Sequence, residues 1–420
     1  MKKTIFWLLT VYVILLLLFS VSMVTVHAIP HWSIEPHIRT SVRALLEEGK
    51  YPSIMEIPIF RIDTFTDALM LNLAWCADEH NPQEAAFSNL YYTDSGMNVF
   101  ERTQDVVNGR GASDGFFYPY ARYWHGSQVV LRPLLMVTDY YTIRLWNIIV
   151  FSVVLLLCLW TICRHLSASI AFLFLLSLAL VGLPVIPQCI QFSVCFYLAL
   201  FSIFIILMFP GLTANLLRTS CVFFAIGGLT AFFDLLTTPI VTLAFPLTIC
   251  LLVHTSWQSS RHVTRFSLVW LSGYISLWLS KCILSQLLTE YDIVDSFLNA
   301  AMVRSATGVI GLWQTLSQMF GNTLVTSLSI LMVVVVLLVI ALATSCWLRF
   351  RHHGKVLTNG WLLTIALVVP LWHLLFIQHS IVHFWFTWRT LSVCMFALFL
   401  FVYLITHPRN EKDCSTYTVL

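Results

Sequence analysis

The sequence predicts an all-α, polytopic transmembrane helix bundle of about ten spans, with a large, partly helical first extracytoplasmic loop. Three observations predict this fold class. The 420 residues are 59% hydrophobic and only 10% charged. Their mean hydropathy is +0.83. The charged residues are crowded into 31–144. Soluble domains carry about 25% charged residues, so a chain this apolar cannot cover its surface in water.

The composition and the lack of certain motifs exclude several classes of protein. A net charge of +3 with 31 Phe and 15 Trp does not suit a disordered or nucleic-acid-binding chain. Most of the 11 cysteines lie in or beside apolar runs, so no disulfide framework is predicted. The sequence has no P-loop, dinucleotide fingerprint or nucleophile elbow. Nucleotide-driven transport and acyl transfer by a recognisable triad are therefore unsupported.

Apolar runs place the spans, because a hydrocarbon core about 30 Å thick needs roughly 20 apolar residues per helix. The predicted spans are 5–28, 145–163, 168–186, 191–209, 220–233, 240–253, 266–287, 324–347, 361–378 and 384–406. The first run also resembles a signal peptide. It is longer than the roughly 7–15 apolar residues of such a peptide, so an uncleaved anchor is favoured.

The spans divide the chain into four predicted regions. These are an N-terminal transmembrane anchor (1–28), an extracytoplasmic loop with membrane-surface helices (29–144), a helix bundle (145–406) and a cytoplasmic tail (407–420). Because a connection as long as 29–144 is uncommon in a compact protein, we expect it to be folded and functional.

Basic residues orient these spans through the positive-inside rule. With a cytoplasmic N-terminus, the inner ends carry Lys2, Lys3, Arg164, Arg218, Arg261, Arg265, Arg349, Arg351, Lys355, Arg409 and Lys412. Past the first loop, the outer side carries only Lys281, Arg304 and Arg389. The rule places Arg218 and Arg261 on one side, so 220–233 and 240–253 form a hairpin rather than one long helix. Both termini of this multi-pass plasma-membrane protein are then cytoplasmic.

The same topology puts nearly all acidic residues on the outer side, since only Glu411 and Asp413 fall inside. In the loop, 41–49 predicts a short helix that a serine starts and a glycine ends. Residues 64–67 predict a capping box that opens an amphipathic helix of about 14 residues. The outer face is therefore where candidate chemistry is expected.

Asp63 and Asp67 are the candidate catalytic residues, because carboxylates four residues apart share one side of a helix. Such a pair can act as a general base toward a sugar hydroxyl or hold a divalent cation. The alternative is structural, since acids also stabilise a helix N-terminus and Asp67 suits the third position of a capping box.

Arg122, His125 and Arg132 are candidates for binding a lipid-linked phosphate just before the chain re-enters the membrane. A guanidinium matches phosphate oxygens in geometry as well as charge. Anchoring in the headgroup layer by an aromatic and basic belt is the alternative. Arg304, in the loop before the eighth span, is a further phosphate candidate.

Asp234 is the acid nearest to membrane depth, which makes it a candidate binding residue, although a capped turn before Pro239 explains it equally well. His379 and His383 are four residues apart, with Arg389 following. This spacing matches a histidine metal pair, but the acid of the usual zinc pattern is missing, so no metal site is predicted. Binding of a phosphate or sugar, with Arg389 as its cationic anchor, is favoured over a metal site, and ordinary interface packing is the alternative.

The order of these parts resembles the GT-C superfamily of integral membrane glycosyltransferases. The likeness lies in an N-terminal span, a long first outer loop with an early aspartate in Arg61-Ile-Asp63-Thr-Phe-Thr-Asp67, and a bundle of short-looped spans. It implies transfer of a sugar from a polyprenyl-phosphate carrier on the non-cytoplasmic side, with Asp63 in the position of the catalytic acid. Adjacent acidic pairs common in that superfamily are not present at this position.

The resulting hypothesis is a glycosyltransferase that uses a polyprenyl-phosphate-linked sugar and a cell-envelope glycan or lipid acceptor. Its surroundings are membrane lipids, no nucleic acid is involved, and a divalent cation is compatible with the chemistry but not required. The alternatives are a transporter or flippase for a lipid-linked glycan, with Asp234 and Lys281 in its path, and a non-enzymatic protein of an envelope complex.

Overall fold

The computed structural model of the chain describes residues 2–56, 60–94, 96–109, 115–295 and 359–407, together with 298 and 302. Within these ranges the protein is nearly all α-helical. The helices are α1 (Lys2–His27), α2 (His31–Glu48), α3 (Thr64–Trp75), α4 (Pro82–Ser88), α5 (Val99–Val107), α6 (Gln128–Leu135), α7 (Tyr140–His165), α8 (Ala168–Ala179), α9 (Ile190–Met208), α10 (Leu216–Phe233), α11 (Ile240–Val253), α12 (Ser260–Leu288), α13 (Gly360–Leu375), α14 (Ile377–Val382), α15 (Phe384–Thr387) and α16 (Leu391–Thr406). The strands are β1 (Leu90–Thr93) and β2 (Phe116–Pro119). The predicted span 324–347 and Arg304 lie outside the described residues.

Six helical segments in the described part of the chain are long and apolar enough to cross a membrane. They are α1, α7, α9, α10, α12 and Trp385–Thr406. The shorter apolar helices are α8, α11 and α13. On α1, large apolar side chains such as Leu17 and Leu18 are 60% and 57% exposed. A surface so apolar is stable against lipid rather than water, which indicates a membrane protein.

Two predicted spans are broken in the structure. In 168–186, α8 ends at Ala179 and is followed by the 3-10 segment Leu183–Gln188. Gly182 separates them with a φ of 79°, a left-handed backbone that glycine adopts without a Cβ clash. In 361–378, α13 ends at Leu375 and the shorter α14 follows.

The hairpin predicted between 220–233 and 240–253 is present as two separate helices, because α10 ends at Phe233 and α11 begins at Ile240. Asp234 closes α10, and Pro239 precedes the first residue of α11. A proline in this position favours a new helix start, since it has no N–H to donate to an earlier carbonyl.

The centre of the bundle is the close contact between α10 and α12. A Cβ added at Gly227 would overlap the carbonyl of Trp270, and one at Gly273 would overlap the carbonyl of Phe224. The two backbones therefore touch where each helix has a glycine. From α1, Phe19 stacks on Phe232 with ring centroids 4.1 Å apart, which adds α1 to this pair.

The chain between α1 and α7 packs around a second apolar core, formed by side chains of α2, α3, α5 and α6. The helix predicted at 41–49 is much longer, because α2 already begins at His31 and Ser41 lies in its interior. The prediction of its end is correct, since Gly49 is the C-cap with a φ of 86°. The antiparallel pair of β1 and β2, in which Tyr91 faces Tyr118, was not predicted.

We predict that Gly227→Ala and Gly273→Ala each destabilise the protein by about 1–3 kcal/mol, because overpacking would force α10 and α12 apart. Without a clash, alanine stabilises a helix interior by about 0.5–1 kcal/mol relative to glycine. A lower free energy of unfolding in these variants would therefore be due to the clash. Thermal unfolding of the purified chain in detergent measures it. Gly211→Ala is the control, because a Cβ there meets nothing within 4 Å. Unchanged unfolding of the α10 and α12 variants would show that the contact is not tight.

Candidate functional site

Asp63 is the N-cap of α3, so the predicted capping box is wrong by one residue. Its Oδ1 accepts from the backbone N–H of Thr66 at 3.1 Å, and its Oδ2 accepts from the Thr66 hydroxyl at 2.9 Å. The Asp63 N–H donates to Cys189 Sγ at 3.2 Å, which attaches the start of α3 to the start of α9. Only 2% of Asp63 is exposed. The N-cap hydrogen bonds thus hold this carboxylate at the inside of the protein.

Asp67 lies one turn further along α3 and is fully buried. Its Oδ2 is 3.6 Å from Arg144 Nη2, on the first turns of α7. Neither oxygen of Asp67 accepts a hydrogen bond of ordinary length and angle, although burial raises the pKa of Asp67 and the nearby Tyr140 hydroxyl opposes that rise. Arg144 instead donates from Nη1 to both carboxylate oxygens of Glu48, at 2.8 and 3.0 Å. The ion pair of Asp67 is therefore loose, although burial of a charge normally requires close hydrogen bonding.

Arg389 lies in the segment between α14 and α16. It is fully buried, and its guanidinium carbon lies 4.4 Å from the centre of the Phe192 ring. Nη1 donates to the carbonyl of Trp385 at 2.7 Å. Burial raises the pKa of Asp63, and the positive charge of Arg389 opposes that rise. Arg389, which the sequence singled out apart from the two aspartates, thus acts on Asp63.

In Arg144 and Arg389 the same edge of the guanidinium makes no hydrogen bond to the protein, although in Arg144 this edge faces Asp67. The atoms of this edge are Nε and Nη2, which are buried in both arginines. These two nitrogens form the edge with which a guanidinium binds two oxygens of a phosphate or carboxylate. Buried polar groups are nearly always paired, so unpaired groups that cluster beside buried carboxylates mark a site for a ligand.

Burial changes the proton affinity of both carboxylates. It raises the pKa of Asp63 to about 6, against the hydrogen bonds from Thr66 and the charges of Arg389 and Lys50. It raises the pKa of Asp67 to about 7, against the charge of Arg144. A carboxylate with a pKa near 6 is a far better proton acceptor near neutral pH than one at its ordinary value of 3.8. The arrangement therefore provides a base beside anion-binding groups.

The segment that positions Arg389 also contains His379 and His383, whose ring centroids are 4.7 Å apart. His383 stacks on Phe386, which packs with Cys189 and Phe192 in one apolar cluster. His379 Nε2 lies 2.8 Å from the carbonyl of Leu236. The two histidines thus pack beside the site. In the part of the chain that the structure describes, no three His, Cys, Asp or Glu side chains are grouped as metal ligands.

Asp234 lies in the turn that His379 contacts. Its Oδ1 accepts from the N–H of Thr237 at 2.9 Å and from the Thr237 hydroxyl. This is the capped turn that the sequence offered as the structural explanation. Lys281 of α12 is fully buried and donates to the carbonyls of Ala86 and Phe87 at 2.8 and 3.0 Å. These two residues of the transporter alternative are thus held by the fold around them.

Arg132, His125 and Arg122 lie apart from the carboxylates. All three guanidinium nitrogens of Arg132 donate to carbonyls, from Nε to Val26 and Nη2 to Ile29 at 2.7 Å each, and from Nη1 to Ala74. His125 is buried, which lowers its pKa to about 3, so its ring carries no charge to bind phosphate. Arg122 stacks on Tyr120 at 4.3 Å. The structure therefore does not combine these residues into one phosphate site.

Sequence reasoning missed Arg144 and Cys189. Arg144 lies at the predicted boundary of a span, where a basic residue is also typical of membrane anchoring. Cys189 lies beside an apolar run, like most cysteines of this chain. The spacing of Asp63 and Asp67 indicated that both carboxylates lie on one side of α3. No local pattern indicates which arginine faces them.

Comparisons with protein-family models, curated proteins and solved structures give no match for this chain. Any functional argument therefore depends on the site itself rather than on similarity.

Proposed function

We propose that the protein is a membrane glycosyltransferase that moves a sugar from a polyprenyl-phosphate donor to a cell-envelope glycan or lipid acceptor on the non-cytoplasmic face. The proposal includes the ten-span topology with both termini in the cytoplasm and the segment between α1 and α7 outside. The observation that carries it is the buried Nε–Nη2 edge of Arg389, which makes no hydrogen bond to the protein, together with the effect of the Arg389 charge on the buried carboxylate of Asp63.

The proposed reaction requires one base and one anion-binding group. Asp63 accepts the proton of the acceptor hydroxyl, whose oxygen attacks the anomeric carbon of the sugar. The bond from that carbon to the phosphate oxygen breaks, and the polyprenyl phosphate leaves as an anion. Arg389 stabilises the charge that develops on the phosphate, because its free edge matches two phosphate oxygens.

Asp67 and Arg144 support the base in this proposal. Burial and the negative charge of Asp63 raise the pKa of Asp67, while the positive charge of Arg144 opposes that rise and so favours the ionised form of Asp67. Two carboxylates one helical turn apart share their protons, so the pair rather than one residue sets the pH range of the reaction. Because both carboxylates are buried, side chains around them must move for substrates to bind.

We predict that Asp63→Asn lowers the rate of sugar transfer by about 10²–10⁴-fold, the usual contribution of a general base. Asparagine is as good an N-cap as aspartate, so α3 remains capped and the fold is kept. The assay is transfer from a radiolabelled polyprenyl-phosphate sugar to membrane-derived acceptor. Asp139→Asn is the matched control, because Asp139 is likewise an N-cap, accepting from the N–H of Thr142 at 3.0 Å, but is not among the groups that shift the pKa of Asp63. Full activity of the Asp63 variant would remove Asp63 as the base.

We predict that Arg389→Lys weakens product inhibition by free polyprenyl phosphate on the order of tenfold or more, because lysine keeps the charge but cannot form two parallel hydrogen bonds. Asp63→Asn should leave that inhibition constant unchanged, which separates phosphate binding from base chemistry. Thermal unfolding checks that the variant is folded, and Arg164→Lys on α7 is the control. Equal inhibition of the wild type and the Arg389 variant would contradict phosphate binding at this edge.

The pH dependence follows from the raised pKa of Asp63. A base acts only when ionised, so the rate at low donor concentration should rise with pH up to about 6 and then level off. An aspartate at its ordinary value of 3.8 would give a flat profile over the same range. Initial rates from pH 5 to 8 measure this, and Asp139→Asn should follow the wild type. A flat wild-type profile would mean that Asp63 is not the titrating base.

A further inference from the structure

A pocket lies on the face of α3 that is opposite Asp63 and Asp67. Asp63 and Asp67 face α7 and α9, whereas Phe65 and Leu69 line a pocket of about 170 Å³ together with Tyr91, Arg102, Tyr120 and Arg122. Residues 63 and 67 are separated from 65 and 69 by about half a turn, which explains the two faces. The pocket is smaller than the sites of drug-sized ligands, which have volumes of roughly 300–1,000 Å³. It therefore suits a ligand group as small as one sugar residue.

The charges of the two arginines of this pocket act on one tyrosine. Arg102, Arg122 and Tyr91 line the pocket together. Burial raises the pKa of Tyr91, and the positive charges of both arginines oppose that rise. Arg102 comes from α5 and Arg122 from the stretch after β2. The carbonyl of Arg122 accepts from Trp278 Nε1 of α12 at 2.8 Å, which fixes this stretch against the bundle.

Neither arginine forms an ion pair with any described residue. The guanidinium of Arg122 stacks on Tyr120, but in both arginines Nε is buried and makes no hydrogen bond to the protein. A buried N–H donor without an acceptor is costly, and an anion bound in the pocket would supply that acceptor.

Aromatic rings complete the walls. The Tyr91 and Tyr120 rings lie 5.8 Å apart at 59°, and the guanidinium of Arg122 stacks on Tyr120 at 4.3 Å. Tilted tyrosine rings present both an apolar face and a hydroxyl. They therefore suit a small ring that has C–H faces and hydroxyl groups.

We propose that this pocket binds a sugar residue that carries a negatively charged group, such as a phosphate or carboxylate, as part of the acceptor glycan. The guanidiniums of Arg102 and Arg122 bind the anion, and the tyrosines contact the sugar ring. This inference rests on the proposed function only in assigning the bound sugar to the acceptor. Binding of the sugar in this pocket does not require the proposed reaction, since Asp63 faces away from the pocket.

The test is equilibrium dialysis of the full-length chain in detergent with radiolabelled glucose 6-phosphate. We expect saturable binding that glucuronate competes for and glucose does not. Arg102→Gln combined with Arg122→Gln should weaken it on the order of tenfold or more, because charge-assisted hydrogen bonds are lost. Arg43→Gln is the matched control, since the side chain of Arg43 is 78% exposed on α2.

A second variant tests the pocket without changing the arginines, in case the arginine variant does not fold. Leu69→Trp fills the pocket and keeps both positive charges, so it should also abolish binding. Binding that survives both variants would overturn the inference, and so would no binding of either anionic sugar to the wild type. Binding of phosphatidylglycerol vesicles through these arginines, with no binding of the sugars, would also overturn it by showing a lipid-headgroup site.

The outcome can be separated from that of the proposed function. Asp63→Asn should bind glucose 6-phosphate as the wild type does, although its rate of sugar transfer is about 10²–10⁴-fold lower. Loss of binding in the arginine variant with unchanged transfer to the acceptor would overturn the acceptor role of the pocket while leaving the glycosyltransferase proposal intact.

Discussion

The position of α3 depends on the guanidinium of Arg132. Its three nitrogens bind carbonyls at the end of α1, just beyond that end, and near the end of α3. A guanidinium has donors on three sides of one plane, so a single side chain can tie three backbone segments together. Because Arg132 is fully buried, each carbonyl that accepts from it is one that water cannot satisfy. α3 is thereby attached to α1 at one end, while Asp63 and Cys189 attach its other end to α9.

A helix held at both ends presents fixed faces, and both faces of α3 carry candidate chemistry. Asp63 and Asp67 face Arg144 and Arg389, whereas Phe65 and Leu69 face Arg102 and Arg122. On each side, buried arginine nitrogens lack partners. Such unpaired groups oppose folding, and a fold that keeps them beside one helix indicates that binding, rather than stability, explains them.

The sequence was sufficient for features that depend on local composition. Apolar runs predicted the helices that are long and apolar enough to cross a membrane, and the positive-inside rule predicted the break between α10 and α11. Asp139 caps α7 directly before an apolar run, a place typical of an N-cap. The early aspartates were singled out because carboxylates four residues apart share one side of a helix. Composition, charge distribution and short spacing decide these features.

Features that depend on distant contacts were not predictable in this way. α2 extends back to His31 through Pro36, because Ile34 and Ile38 are buried in the second core. Asp63 rather than Thr64 became the N-cap, since the Thr64 hydroxyl donates instead to the carbonyls of Gly49 and Lys50. Arg144 and Arg389 meet the aspartates across long sequence separations, and arginines at span ends are equally typical of headgroup anchors. Tertiary packing decides between such alternatives, and the sequence pattern does not contain it.

The partners of Lys281 are synthesised long before Lys281 itself. Its ammonium group binds the carbonyls of Ala86 and Phe87, and Ser285 donates to Phe87 as well. A lysine in an apolar helix is costly to insert into a bilayer without a partner. The partner carbonyls precede α12 by almost two hundred residues, so they leave the ribosome long before Lys281 does. A chain synthesised from the N-terminus therefore has α4 in place to receive this charge when α12 inserts.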